Sequence, residues 1–151
     1  MREIKFRGKR IDNGEWVYGY YVHQAFTIIS GEIKWLHTIY VPNEAGFTDH
    51  FIVDPETVGQ FVLKDKSGKE IYEGDVVQIA SHKMQIQKIK LRGVVIFSWA
   101  SFGVEIKHVD IWKGFYDHIE PPDNLWFLNL ADNKDIEVIG NIYENPELLT
   151  D

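Results

Sequence analysis

Apolar and polar residues alternate with a period of two along most of the chain, which is the pattern of half-buried β-strands. The alternation predicts strands over residues 3–7, 16–22, 26–29, 33–41, 60–64, 76–80, 86–99, 104–112 and 136–139. Few segments show a helical period, so the sequence predicts a mainly β fold with minor helical content.

Turn signals separate these strands. Asn13-Gly14 is expected to form a type I′ hairpin turn, because both central residues of that turn need a positive φ. Further turns are expected at residues 30–32, 66–69, 73–75 and 100–103, a loop at residues 43–50, and breaks at Pro42 and at residues 121–124.

Two short helices are expected. Asp54 can accept hydrogen bonds from the free N–H groups of a first turn, Pro55 suits the first helical position, and Gly59 is expected to stop the helix. This helix should have one or two turns. Residues 145–149 are expected to form a second, capped turn.

The order of elements after Gly68 is similar to that of small SH3-like barrels. A bend at Gly74-Asp75 precedes a strand, a variable hairpin follows, and Gly93 suits a bulge of the kind that lets a small barrel close. We therefore expect a β-rich N-terminal subdomain over residues 1–67, with the helix near residues 54–59. An SH3-like barrel with a C-terminal strand and short helix is expected over residues 68–151. This analogy assigns no function.

Composition narrows the class of protein. The 151 residues include 16 Lys and Arg against 23 Asp and Glu, and the formal net charge is −7. The absence of cysteine excludes disulfides, a cysteine-based zinc site and a cysteine nucleophile. An aromatic content of 14% argues against disorder. The first residues alternate charged with apolar side chains, unlike a signal peptide, and no apolar run is long enough to span a membrane. We expect a cytoplasmic protein that does not bind membranes.

The sequence contains no recognised catalytic or metal-binding motif. The six histidines are scattered, and the pairs His108/Asp110 and His118/Glu120 each supply fewer ligands than the three or four that a zinc site needs. We predict no metal, no cofactor and no catalytic residue. One alternative is a hydrolase built on Glu70, Glu73 and Asp75, because paired carboxylates can act as acid and base. The simpler interpretation is that Asp75 and Gly74 shape a turn.

Charge is unevenly distributed. No acid occurs between Asp75 and Glu105, where four basic residues and one aromatic residue form a candidate site for phosphate or for a protein partner: Lys83, Lys88, Lys90, Arg92 and Trp99. Residues 110–151 hold ten acids and two bases, which gives −8. The basic hairpin can contact nucleic acid phosphates, or the acidic region of another copy of the chain.

An aromatic stripe is expected on one strand. Trp16, Tyr18 and Tyr20 share a face, and such stripes are mostly found in the core. The opposite face, with Val17 and Tyr21, is also apolar. Strands that are apolar on both faces favour a large core or an oligomer.

Four sequence blocks then resemble the YopX family nearly from end to end: residues 1–8 with 16–19, residues 53–61, residues 63–77 and residues 137–148. The motif residues are expected to be structural: Asp54, Pro55, Gly59, Gly68, Tyr72, Gly74 and Asp75. Where the family's usual central motif reads Phe-Thr-Gly-Leu, this chain has Phe61-Val62-Leu63, which is one residue shorter. The resemblance therefore does not predict whether a turn or bulge forms at this point.

The resemblance implies a β-rich phage or prophage protein inside a bacterial host cell, and it supplies no activity. The favoured hypothesis is a non-enzymatic protein-interaction module, whose candidate partners are a second copy of the chain or a host or phage protein. Nucleic acid binding by the basic hairpin is the less favoured alternative, and the hydrolase is the third.

Overall fold

A computed structural model of the chain describes residues 3–81, 89–98, 100–111, 127–130 and 135–150. The elements in chain order are β1 (Phe6–Lys9), β2 (Trp16–Thr27), β3 (Ile33–Pro42), β4 (Thr48–Ile52), a 3₁₀ turn (Pro55–Thr57), β5 (Gly59–Lys64), β6 (Glu70–Tyr72), β7 (Asp75–Ser81), β8 (Ile89–Ser98), β9 (Ser101–Ile111), β10 (Phe127–Asn129), β11 (Ile136–Asn141) and a second 3₁₀ turn (Pro146–Leu149). The expected mainly β fold is confirmed.

The strands form two antiparallel sheets, with orders β4-β3-β2-β1-β5-β6 and β10-β9-β8-β7-β11. The chain divides into two compact units, residues 1–61 and 62–151. Among the described residues, no helix has the length and apolar character needed to cross a membrane. Closure of the second unit into an SH3-like barrel stays a prediction.

The β1–β2 hairpin lies where the sequence predicts it, but its turn is not of type I′. Gly14 has a positive φ of 74°, and Asn13 does not share it. The loop is longer, because Arg10 N–H donates to the Glu15 carbonyl and Gly14 N–H donates to the Arg10 carbonyl. The Asn13 side chain accepts from Glu15 N–H instead, which is a usual role of asparagine in turns.

Strand β2 changes its pairing partner at Gly19. Residues Trp16 to Gly19 pair with β1, and Tyr20 to Thr27 pair with β3. A Cβ atom on Gly19 would lie 2.2 Å from the Tyr40 carbonyl oxygen, so only glycine fits at this position.

The first unit also folds back on β1. A bridge joins Arg10 to Val53, the residue after β4, and a Cβ atom on Gly8 would lie 3.1 Å from Val53. The strand faces turned toward this junction hold the buried apolar residues Ile39 and Val53. Strand β4 begins inside the segment expected to be a loop, which shortens that loop to residues 43–47.

The expected helix near residues 54–59 is a single 3₁₀ turn. Asp54 accepts from Glu56 N–H at 3.1 Å, and Pro55 occupies the first position, as predicted. Gly59 does not stop it, because the turn ends at an extended Val58 and Gly59 already pairs with Arg7 in the sheet. Likewise, Asn145 makes no side-chain cap on the second 3₁₀ turn and its Oδ1 accepts from Asn141 N–H instead.

The second unit contains the larger core. Its buried and contacting residues are Ile71, Val77, Ile79, Leu91, Val95, Val104, Ile106, Leu130 and Ile136. The expected bulge at Gly93 is confirmed, since the β8–β9 register shifts between Arg92 and Gly93. The β8–β9 connection is shorter than expected, because Ser101 already pairs with Ser98.

A buried carboxylate holds the turn between β5 and β6. Asp65 is 8% exposed; its Oδ1 accepts from Ser67 N–H, Ser67 Oγ–H and Lys69 N–H, and its Oδ2 accepts from Val138 N–H of β11. Burial by itself raises the pKa of this carboxyl, but the hydrogen bonds outweigh burial, so the pKa lies below its ordinary value. The ionised side chain therefore joins the turn to β11.

Replacement of Gly19 tests the close approach of the Tyr40 carbonyl oxygen. We expect Gly19→Ala to lower the free energy of unfolding by about 3 kcal/mol, because the backbone must move to admit a methyl group. Gly31→Ala is the control, since its Cβ meets nothing within 4 Å and only its positive φ costs about 1 kcal/mol. Urea denaturation of both variants measures the difference, and equal losses would contradict the close approach.

Replacement of Asp65 tests the buried carboxylate. Asp65→Asn turns an N–H group toward a donor, so a loss of about 2 kcal/mol is expected near pH 7. Because the pKa of Asp65 is lowered in the folded protein, its contribution to stability is fully present above the unfolded pKa of about 3.9. That contribution is lost as the pH falls from this value through the lower folded pKa. Urea denaturation at neutral and acidic pH should therefore show the two proteins converging in acid. The exposed cap variant Asp54→Asn, which keeps a good cap residue, should change little at either pH.

Candidate interaction surface

The ends of β2 and β3 form a projecting hairpin, residues 22–35, which we call the arm. All its residues except Gln24 are exposed. The exposed large apolar residues of the arm are Val22, Phe26, Ile28, Ile29, Ile33 and Trp35. Ile29 is fully exposed at the tip, Trp35 is 61% exposed and Ile33 is 60% exposed.

Local sequence explains why the arm forms. Val22 pairs with Thr38 and Thr27 with Ile33 in unbroken antiparallel register, and β-branched and aromatic residues make up half of each strand over this stretch. Gly31 adopts a φ of 82° at the turn, and Ile28 N–H donates to the Glu32 carbonyl at 2.9 Å. The hairpin predicted around residues 30–32 is confirmed.

Both edges of the arm are open within the described part of the chain. Strand β1 pairs with β2 only as far as Gly19, and β4 pairs with β3 only from Thr38 onward. No described strand covers either edge farther out. A two-stranded ribbon with open edges is marginally stable by itself and can pair with another strand.

Stacked rings stiffen the base of the arm. The His23 and His37 rings stack with centroids 4.3 Å apart, and the Trp35 ring lies 4.8 Å from that of His23. The Tyr21 hydroxyl contacts His37 Nδ1 at 2.5 Å, and burial raises the pKa of this tyrosine. These contacts fix the arm to the rest of the first unit through Tyr21 and His37.

The expected aromatic core stripe is wrong. Tyr18 is 42% exposed and Tyr20 is 58% exposed, and Trp16 is half-buried. The opposite face of β2, which contains Gly19, is the packed one. A side chain at Gly19 would collide with the Tyr40 carbonyl oxygen of β3. Basic side chains on β1 and just before it cover part of the stripe: Arg7 lies 4.6 Å from the Trp16 ring centroid, and Lys5 lies 5.8 Å from that of Tyr18.

The proposed basic hairpin is only partly described. Lys83, Lys88 and Trp99 lie outside the described residues. Lys90 is exposed, whereas Arg92 is half-buried and donates from Nη1 to the Leu148 carbonyl at 2.7 Å. Arg92 thus holds the second 3₁₀ turn, a role that its position in the strand pattern did not reveal.

The acidic turn is built around its own backbone. Asp75 is 2% exposed, and its Oδ2 accepts from Tyr72 N–H at 2.8 Å. Glu70 Oε2 accepts from the Tyr72 hydroxyl at 2.6 Å. Gly74 has a φ of 83°, and its N–H donates to the Val95 carbonyl. Gly68 serves the preceding turn with a φ of 88°.

Within the described ranges, no three histidine or acidic side chains converge in a way that could hold a metal ion. The pair His118 and Glu120 lies outside those ranges, as does the side chain of Asp110.

Comparison with known proteins identifies the family. The family model described as YopX protein matches residues 5–150, which is nearly the whole chain. The chain belongs to the YopX family. A search of curated proteins finds no match to it. The YopX match confirms the resemblance seen in the motif blocks and leaves the activity to be argued from the structure.

Sequence reasoning did not single out the arm of this YopX chain. One signal was present, because residues 20–29 contain no Asp, Glu, Lys, Arg, Gly or Pro. Ten such residues on a strand with an open edge are typical of a pairing or aggregating segment. The edge itself could be recognised only once the pairing was known.

Paired substitutions in β8 test the structural role of Arg92. Arg92→Met should lower the free energy of unfolding by about 1.5 kcal/mol, because the Leu148 carbonyl loses a charged donor. Lys90→Met, two residues along the same strand, should change it by less than about 0.5 kcal/mol. Thermal unfolding of both variants provides the comparison, and an Arg92→Met protein as stable as the wild type would refute the assignment.

Proposed function

We propose that this YopX protein is a non-enzymatic interaction module that binds protein through the arm and that acts inside a bacterial cell carrying a phage or prophage. The arm carries the proposal, because a small unit that leaves six large apolar side chains exposed on one hairpin is best explained by a partner that covers them. The phage setting rests on the family resemblance.

The two alternatives have less support in the described residues. The hydrolase hypothesis needs available carboxylates, yet Asp75 accepts from its own turn and Glu70 accepts from Tyr72. The nucleic acid hypothesis needs a set of available cations, and Arg92 already holds the Leu148 carbonyl. It predicts binding that is stronger at about 50 mM salt than at about 200 mM, and that a Lys88→Glu, Lys90→Glu variant weakens.

Matched isoleucines test the proposed function. Ile33 in the arm and Ile11 in the β1–β2 loop are 60% and 64% exposed. A charge at an interface core is costly, so Ile33→Lys should abolish binding while Ile11→Lys leaves it intact. Sedimentation at micromolar concentration and pull-down from bacterial lysate are the measurements. The proposal predicts self-association or a retained protein that the wild type and Ile11→Lys share and that Ile33→Lys loses.

Two results would overturn it. One is a wild-type chain that stays monomeric and retains no protein. The other is equal retention by both lysine variants, which would mean that the binding surface lies outside the arm.

A further inference from the structure

The outward backbone groups of β2 give the arm a defined edge for pairing. Ile28 N–H bonds to the Glu32 carbonyl, so hydrogen-bonded pairs alternate inward from that point. Residues 26 and 24 therefore bond to β3. The N–H and C=O groups of His23, Ala25 and Thr27 point away from β3, toward the open edge.

This edge lacks the features that normally prevent strand pairing. Natural edge strands carry lysine, proline, bulges or covering segments. Residues 20–29 of β2 and its turn carry no formal charge and no proline. The other edge of the arm, on β3, is flanked by Glu32 and Lys34, so the β2 edge is the better template.

A second copy of the chain fits this edge. The arm contains one acid and one base, Glu32 and Lys34, so two arms meet without net repulsion although each chain carries −7. Three exposed apolar residues beside this edge, Val22, Phe26 and Ile28, share one face of the arm and would contact a second copy across a strand pairing. A surface that is its own complement closes with two-fold symmetry.

We infer that two copies of the chain associate by antiparallel pairing of their β2 edges, with Ala25 of each copy at the two-fold axis; this deepens the proposed function and rests on it. That register pairs the whole segment 22–28 with itself. It sets Val22 beside Ile28 of the second copy and Gln24 beside Phe26. The four arm strands then form one sheet, with Val22, Phe26 and Ile28 of both copies on the same face.

Three variants test the dimer in the full-length chain. Ala25→Pro removes an N–H that the chain's own sheet does not use and should block edge pairing. Phe26→Lys places a charge on the apolar face. Phe47→Lys is the matched control, since Phe47 is an exposed phenylalanine of the same unit outside the arm. Far-UV circular dichroism and thermal unfolding establish that each variant is folded.

Analytical ultracentrifugation over a micromolar concentration series gives the dissociation constant. We expect a wild-type dimer, an unchanged constant for Phe47→Lys, and a constant raised more than about thirtyfold for Ala25→Pro and Phe26→Lys. A wild-type chain that is monomeric throughout the series overturns the inference. So does a dimer that both arm variants leave intact.

A disulfide reports the register independently. The chain has no cysteine, so Ala25→Cys introduces a single thiol. In the inferred register the two Cα atoms are about 5.5 Å apart, within the range that a disulfide spans. Mild oxidation should cross-link Ala25→Cys at least about tenfold faster than Phe47→Cys, because the dimer holds the two Ala25→Cys thiols together. The Phe47→Cys thiols meet only by random collision. Equal rates would refute the register.

The two proposals fail separately. If the wild type is monomeric but retains a protein that Phe26→Lys loses and Phe47→Lys keeps, the interaction function stands and the dimer falls. If the wild type is monomeric and retains nothing, both fall.

Discussion

The close approach of β3 to Gly19 is the constraint on which the first unit depends. The Tyr40 carbonyl oxygen occupies the space of a side chain at this position, where the pairing partner of β2 changes from β1 to β3. The face of β2 that contains Gly19 becomes the packed face. Trp16, Tyr18 and Tyr20 are consequently placed on the outside, and the strand continues past its last contact with β1 as an arm.

Much of the fold could be predicted because it is encoded locally. Alternation located most strands, the Asp54-Pro55 pair located the first 3₁₀ turn, and Gly93 located the bulge. Each of these depends on a few neighbouring residues. The inward and outward faces of β2 could not be predicted this way, because both are apolar and the choice depends on a carbonyl twenty-one residues away.

Polar residues show the same limit. The alternation of apolar and polar residues does not reveal the role of Asp65. The Asp-Lys-Ser-Gly sequence is nevertheless typical of a turn in which the carboxylate accepts hydrogen bonds from the N–H groups that follow it. Its bond to Val138 spans 73 residues and has no local signal. The spacing of Arg92 places it on a basic strand face, but its contact with Leu148 spans 56 residues. Charge patterns alone therefore do not separate binding residues from those that hold the fold.

The distribution of buried apolar residues supports the role proposed for the arm. Of the fourteen buried apolar residues in the described part of the chain, Ile39 and Val53 lie in the first unit and the other twelve lie in the second. The first unit thus has a thin core while it exposes six large apolar side chains on one hairpin. Those side chains contribute little to the stability of a single copy, since their area stays in water. Burial against another protein would give the first unit the apolar contacts that its own core lacks, and would couple its stability to association.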